Sequence, residues 1–349
     1  MHNVDLDLCL LYWGRSGGGK RLFLETVTEL SLYNNLRLHV SAREEVISEL
    51  GIGSARVSIV DGVFGKRRQH ILLEAFGILR KKRTLLDHCS NFKVSNVMIV
   101  MSSPLDVLLK NKKSTNVVFW RVLHDAQPHP GDFWPNKYFI RYYLRTSKIV
   151  TLSKYVSKMI ANSQVFQTEL NRNIEPKLKA FSLPDHYILI AGRTKEYKNT
   201  QEVFKALSLF PEQIFVVTNM GKRVTFDASP NVVIIEKSLD DAELEYAISN
   251  SRGVIAAYSE ASQSGIVEQA VYWGVPVLIS NRGGLIEQVK DNNEGVVIDG
   301  IDAVSIAEGL EKLLLMEKHC GNKTIKLNLA QSIIGRAEFS RRKIDTNLP

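Results

Sequence analysis

Cysteine is scarce in this chain of 349 residues: Cys9, Cys89 and Cys320 stand far apart, with no Cys-x-x-Cys spacing. That argues against a disulfide framework or a zinc-thiolate cluster and fits a reducing cytoplasm. Long apolar runs are also missing, and none approaches the roughly 18 residues of a membrane span. The opening Met1-His-Asn-Val-Asp-Leu-Asp7 is acidic before it turns apolar, unlike a secretory leader. No internal repeat or low-complexity tract occurs. No RNA-binding signature or finger-type Cys/His spacing occurs either, so no nucleic-acid partner is expected.

What is present is an ordinary globular composition, 44% hydrophobic and 23% charged, in a length that suits two domains. Charge is unevenly spread over them. Residues 1–183 hold 27 Lys and Arg against 15 Asp and Glu, whereas residues 184–349 hold 18 against 22. The cations cluster at Lys66-Arg67-Arg68, Arg80-Lys-Lys-Arg83 and Lys110-Asn-Lys-Lys113. Such a first half can attract an anionic acceptor or an acidic membrane face, or can simply be a solvated basic surface.

Hydrophobic patterning predicts regular alternation of strands and helices. Strands are expected at Leu6–Tyr12, Leu36–Val40, Arg56–Val60, Val97–Met101, Val117–Val122 and Ile149–Leu152, with a helix from Lys20 to about Tyr33. Residues 171–185, with Pro176 and Pro184, read as a connection. Alternation restarts at Tyr187–Ala191 and continues through Asn199–Leu209, Ile214–Thr218, Val232–Glu236 and Leu239–Ser249. It then runs through Gly253–Tyr258, a helix closed by Gly274, Pro276–Ile279, Gly295–Ile298 and Ala303–Lys318. This predicts an α/β chain with doubly wound parallel sheets. The domains are 1–183, 184–330 and a tail, 331–349, packing back on the first. Ligands of such sheets bind at the carboxyl ends of the strands, here in the cleft between the two domains.

Four polar constellations fall at those strand ends. Gly14-Arg-Ser-Gly17-Gly18-Gly19 follows the first strand and opens a helix, so its backbone can approach a diphosphate or simply make a tight turn. Gly14-x4-Gly19-Lys20 nearly matches a nucleotide P-loop, but the required Ser or Thr is Arg21. His124-Asp125-x2-Pro128-His129-Pro130-Gly131 is a rigid polar loop after a strand, without the ligand spacing of a metal site. Gly192-Arg193, followed by Lys198, can converge on a diphosphate, Arg as a fork and Lys as a point charge. Finally, Glu260-x7-Glu268 flanks the start of a helix where the amides of Gln263, Ser264 and Gly265 can receive an anion. Two carboxylates beside an amide-lined anion seat suit a ligand with both hydroxyls and phosphates. Each motif alone is also compatible with a solvated surface loop.

Taken in order, the four resemble the retaining glycosyltransferases of family 4, the group 1 glycosyl transferases. The likeness is strongest from Tyr187 to Ile298, where Gly274-Val-Pro-Val277 and Gly283-Gly284-x2-Glu287 also match the family pattern. The loop Ala261-Ser-Gln-Ser264-Gly265 replaces the usual Gly-Phe-Gly and resembles a subset with Ser-Gln-Ser-Gly. The resemblance implies the GT-B architecture: two Rossmann-like domains, the first for the acceptor and the second for the donor. It implies a nucleoside-diphosphate sugar as co-substrate, no metal or other cofactor, and a glycan or lipid-linked acceptor. Glu268 would then hold the ribose hydroxyls and Glu260 the sugar hydroxyls. Arg193 and Lys198 would stabilise the diphosphate, Gly17 and Gly18 would face it, and His124 would lie beside the sugar. Asp5-x-Asp7 superficially matches the metal pair of the other large glycosyltransferase fold but comes before the strand rather than after it. A nucleotide-sugar epimerase and a non-catalytic scaffold on the same fold remain alternatives.

Overall fold

The computed structural model describes residues 6–14, 18–31, 33, 36–50, 57–60, 71–101, 106–111, 116–127, 136–161, 163–165, 182–192, 195–218, 230–237, 239–289 and 291–319. Gly17, Arg193, the Pro128–Gly131 loop, most of the expected 171–185 connection and the C-terminal tail lie outside them. The chain divides into two compact units, each built on one parallel sheet.

The first unit begins with β1 (Leu6–Tyr12), α1 (Gly18–Leu30), β2 (Leu36–Ala42), the short α2 (Glu44–Ile47) and β3 (Val57–Ile59). It continues with α3 (Ile71–Asn91), β4 (Asn96–Ile99), β5 (Val118–Leu123), α4 (Asn136–Thr146), β6 (Lys148–Thr151), α5 (Lys154–Met159) and β7 (Gln164–Val165). The strand order is β3-β2-β1-β4-β5-β6-β7, so the winding reverses between β1 and β4. Both faces of β1 are covered, which is why its sequence is almost continuously apolar. Leu8, Leu10 and Tyr12 pack with Phe23, Val27 and Leu30 of α1. Cys9, Leu11 and Trp13 face the opposite way, with Leu85 and Cys89 of α3. The two cysteines are free and buried, and burial pushes the Cys89 thiol up to about 12. Asp7 lies inside β1, where it pairs with His39 at 3.1 Å and Arg37 at 3.4 Å.

The second unit runs β8 (Ile188–Ile190), α6 (Thr200–Leu207), β9 (Phe215–Thr218), β10 (Val232–Ile235), α7 (Asp241–Asn250) and β11 (Gly253–Ala256). After these come α8 (Gly265–Tyr272), β12 (Val277–Ser280), β13 (Gly295–Ile298) and α9 (Ala303–Leu314). Its order, β10-β9-β8-β11-β12-β13, reverses between β8 and β11. Leu189, Val254 and Val277 pack against α7 and α8 through Ala247, Ile248, Val267 and Ala270. Ile188, Ile255 and Leu278 pack against α6 and α9 through Val203, Ala206, Leu310 and Leu313. The α/β alternation and parallel pairing expected from the pattern are therefore present, with element ends shifted by up to four residues in either direction.

Arg121 is among the charged side chains buried fully inside the first unit. Arg121 of β5 donates from Nη2 to the carbonyls of Asp106 (2.8 Å) and Leu109 (2.7 Å), and from Nε to Ser147 Oγ (3.0 Å). Its Nη1 pairs with the Asp106 carboxylate, and its Cζ lies 4.0 Å from the centre of the Tyr143 ring. Asp106→Ala would leave the guanidinium buried without its counter-charge, and chemical denaturation should record a loss of about 3–5 kcal/mol. A loss below about 1 kcal/mol, the scale of an exposed pair, would refute this assignment.

Glu29 of α1 has a buried oxygen, Oε2, with no hydrogen-bond partner among the described residues. Burial pushes its carboxyl up from 4.5 to about 7. A folded-state value above the unfolded one means that the folded protein holds the proton more tightly. The stabilisation is therefore complete below pH 4.5 and lost as pH rises towards 7. Glu29→Gln should melt above wild type beyond pH 7, with the gap closing towards pH 4.5. Parallel melting curves over that range would sink the assignment.

Candidate functional site

In an open parallel sheet the loops at a winding reversal diverge and leave a crevice at the strand ends. In the second unit that position lies between β8 and β11, so the loop after β8 and the loop after β11 are neighbours. They are tied together by the backbone. The Tyr197 carbonyl accepts from the Ser259 amide at 2.8 Å and from Ser259 Oγ at 3.1 Å. The Tyr197 and Tyr258 rings meet edge to face, centroids 5.8 Å apart.

Lys198 ends a short 3-10 turn, Glu196–Lys198, closed by Asn199 in the left-handed region at φ 55°. Asn199 is held there by its side chain, which donates to the Ile301 carbonyl at 2.6 Å. The Lys198 ammonium turns back to donate to the Ala191 carbonyl at 3.0 Å and lies 5.0 Å from the centre of the Tyr258 ring. Gly192 makes room for it. Gly192 has φ 102°, and a Cβ there would stand 2.2 Å from Lys198 Nζ and 3.9 Å from Ile266 Cγ1. The cation, the turn after β8 and the first turn of α8 thus converge on one place.

The helix α8 begins where Ser264 caps it, its hydroxyl accepting from the Val267 amide at 3.4 Å. Gly274, at φ 67°, ends it in a left-handed turn that returns the Val275 amide to the Ala270 carbonyl at 2.9 Å. Glu260, in the loop, is half-buried, and Glu268, one turn into the helix, is half-buried too. Of the three amides expected to receive an anion, that of Ser264 is already engaged, donating to Gln288 Oε1 at 2.8 Å. The amides of Gly265 and Ile266 carry no hydrogen bond among the described residues. Gln288 closes the 3-10 turn Leu285–Glu287, and its part in this loop had no signature in the sequence.

In the first unit, Gly18 opens α1 and Gly19 is pressed against the ends of β1 and β4. A Cβ on Gly19 would lie 2.7 Å from Met101 Cγ and 3.1 Å from Tyr12 Cε2. Arg21, which occupies the P-loop's Ser/Thr position, pairs with Glu25 at 2.9 Å. His124 is the first residue beyond β5; its Nδ1 lies 3.1 Å from Asp125 Oδ1, and both side chains are about 30% exposed. The structure therefore brings Lys198, Glu260, Gln263, Ser264, Gly265 and Glu268 to one pair of loops, and Gly18 and His124 to strand ends of the other sheet.

Similar structures include a glycosyltransferase from Rickettsia africae, with TM-score 0.67 and 16% identity over 97% of this chain and 99% of that one. A sucrose-phosphate synthase from Thermosynechococcus elongatus gives 0.67 and 12%, covering 98% and 100%. Anabaena HepE, solved in complex with UDP-glucose, gives 0.60 and 10%, covering 97% and 99%. At such identities the likeness establishes the fold, an α/β fold of the GT-B kind. Residues 171–326 match the family described as Glycosyl transferases group 1. A D-inositol 3-phosphate glycosyltransferase of Corynebacterium diphtheriae is 25% identical over 173 residues. That alignment covers 44% of this chain and 40% of the relative.

Gly192→Ala tests the convergence. The added methyl meets an unfavourable φ and displaces the Lys198 ammonium, and should cost about 1–3 kcal/mol of stability. Lys198→Met in the same chain should recover part of the loss in a double-mutant cycle. Gly265→Ala, whose Cβ would meet nothing nearer than 3.9 Å, should be close to neutral. Equal losses at both glycines would contradict the arrangement.

Proposed function

We propose that the protein is a retaining glycosyltransferase. It would move a sugar from a nucleoside-diphosphate sugar to a glycan or lipid-linked acceptor during cell-surface polysaccharide synthesis, such as lipopolysaccharide O-antigen or capsule. The observation that carries this reading is the Lys198 ammonium held beside the start of α8, at the winding reversal within the stretch that matches the group 1 family. Breaking the bond between sugar and diphosphate builds negative charge on the leaving group. A fixed cation and oriented amides stabilise that charge without reorganising. Lys198 and Arg193 take the diphosphate, the Gly265 end of α8 supplies amides, Glu268 accepts from the ribose hydroxyls and Glu260 from the sugar hydroxyls. In this reading Gly17 and Gly18 are assigned to the donor phosphates and His124 to the donor sugar. Attack by the acceptor hydroxyl on the leaving-group face, with its proton passing to a diphosphate oxygen, retains the anomeric configuration. The chemistry as read needs no metal. The UDP-glucose complex of the HepE protein, which shares the fold, supports a nucleotide sugar as donor.

The acceptor side is read from charge. Residues 106–168 hold ten Lys and Arg against three Asp and Glu, and one pair of these, Arg121 with Asp106, is buried. On α4 and α5 of this stretch Tyr138, Leu144 and Met159 stand exposed. A hollow of about 530 Å³, lined by Trp120, Ile149 and Ile160 with Lys148 among its residues, lies there too. A basic stretch with exposed apolar side chains suits peripheral attachment to the anionic inner face of the plasma membrane. Among the described residues no helix is long and apolar enough to cross a membrane.

A thermal-shift panel of nucleotide sugars, followed by transfer and hydrolysis assays, tests the reading. A donor at 100 times its dissociation constant should add about 2.7 kcal/mol of stability. Lys198→Ala should lower kcat/KM about 10²–10³-fold, as loss of a charge-stabilising group does. Failure of every nucleotide sugar to bind or turn over would overturn the proposal. Release of an epimer without acceptor would favour an epimerase.

A further inference from the structure

We infer that Gln288 is a positioning residue for the donor diphosphate, a role that rests on the transferase reading above. Its carboxamide makes both hydrogen bonds that a strand neighbour would make to one residue. Oε1 accepts from the Ser264 amide at 2.8 Å, and Nε2 donates to the Ser264 carbonyl at 3.1 Å. Four residues before Gln288, the Gly284 amide donates to the Ala261 carbonyl at 2.9 Å. The segment after β12 therefore grips the β11–α8 loop at both ends of Ala261–Ser264.

Two consequences follow from hydrogen-bond valence. First, the Ser264 amide has one proton and that proton is taken, so Ser264 cannot donate its backbone to an anion. The open donors are the next two amides, Gly265 and Ile266, at the first two positions of the helix. Second, the Ser264 carbonyl also accepts the first intrahelical bond, from the Glu268 amide at 3.1 Å. Gln288 thereby tethers the peptide that begins α8 and fixes the direction of its free N–H groups. The Ile266 side chain lies near the point where Gly192 and Lys198 meet, which puts the first turn of α8 beside the ammonium. In the proposed role its amides and that cation serve one anion, in a registration that Gln288 sets. Gln288 touches no reacting atom; it acts through Ser264. A side chain without the carboxamide would release the Ser264 amide, leave its carbonyl one donor short and let the first turn of α8 reorient.

The test compares wild type, Gln288→Leu and Gln288→Glu. UDP, ADP and GDP binding is measured by calorimetry, and the protection of the Ser264 amide is measured by hydrogen exchange. Kinetics are then taken with the donor of whichever nucleotide binds. Leucine keeps bulk and removes both hydrogen bonds. It should speed exchange at Ser264 and weaken nucleotide binding about tenfold, the scale of two neutral hydrogen bonds. Donor KM should rise with kcat little changed, because the seat is lost from ground state and transition state alike. Glutamate accepts from the amide but opposes the carbonyl while ionised. Its affinity should be low at neutral pH and return towards that of wild type as acid protonates it and restores the donor. A purely structural brace would show faster exchange and a lower melting temperature in both variants, with nucleotide affinity unchanged, and that result overturns the inference. So does unchanged Ser264 exchange in Gln288→Leu. Wild-type protein that binds none of the three nucleotides overturns the transferase reading and this role together. Wild-type protein that binds one of them, while Gln288→Leu binds it equally well, overturns this role alone.

Discussion

The rest of the second unit depends on one constraint, the pairing of β8 with β9 on one side and β11 on the other, all three parallel. Parallel strands cannot be joined by a hairpin, so each crossover returns over a face of the sheet and every strand ends on the same edge. Because the winding reverses between β8 and β11, the loops that leave them part in opposite directions. Residues 195–199 and 257–264, some sixty positions apart in sequence, become adjacent because β8 and β11 are paired. The buried apolar faces of β8 and β11 hold this pairing and thereby hold the site.

Upon that frame the loops are fixed by hydrogen bonds as well as by apolar contact. The Tyr197 carbonyl takes two donors from Ser259, Ser280 Oγ donates to the Tyr258 carbonyl, and Gln288 takes both main-chain groups of Ser264. Each such bond contributes only about 1 kcal/mol net, yet leaving its buried partner unpaired costs more, so the set specifies one loop conformation more strongly than it stabilises the fold. That rigidity is what charge stabilisation asks for: donors already aimed where negative charge will appear need not reorganise as it develops. Lys198 is held in the same manner, by one carbonyl and one aromatic face, neither of which neutralises it.

Much of this was legible in the residue pattern. Parallel strands buried on both faces read as short apolar runs, and β1, β11 and β12 are such runs. Gly274, which ends α8, and Ser264, which caps it, are local signals with local causes. The acids and cations of the site could be placed at strand ends because their distances from those runs are visible in the chain. Less could be said of what each polar group already holds. Ser264 looked like an anion donor along with its neighbours, and its amide is instead bonded to a glutamine twenty-four residues away. Gly19 was open to two readings, and its closeness to Met101 and Tyr12 supplies a packing reason for a residue without a side chain. Asp7, suspicious by spacing, turns out to hold His39 and Arg37.

The sequence by itself determined the α/β alternation, the residues that end each strand and the chemical types gathered there. These follow from periodicity, turn chemistry and charge, all of which act over a few neighbouring positions. Tertiary structure alone decided which strand ends adjoin, that Lys198 lies over Gly192 and near Ile266, and which amides of α8 remain open. The physical reason is that a backbone N–H makes its bond with whatever acceptor the fold brings to it. Gln288 is brought to Ser264 by the packing of a 3-10 turn anchored on fully buried Leu285, and no local pattern records that meeting.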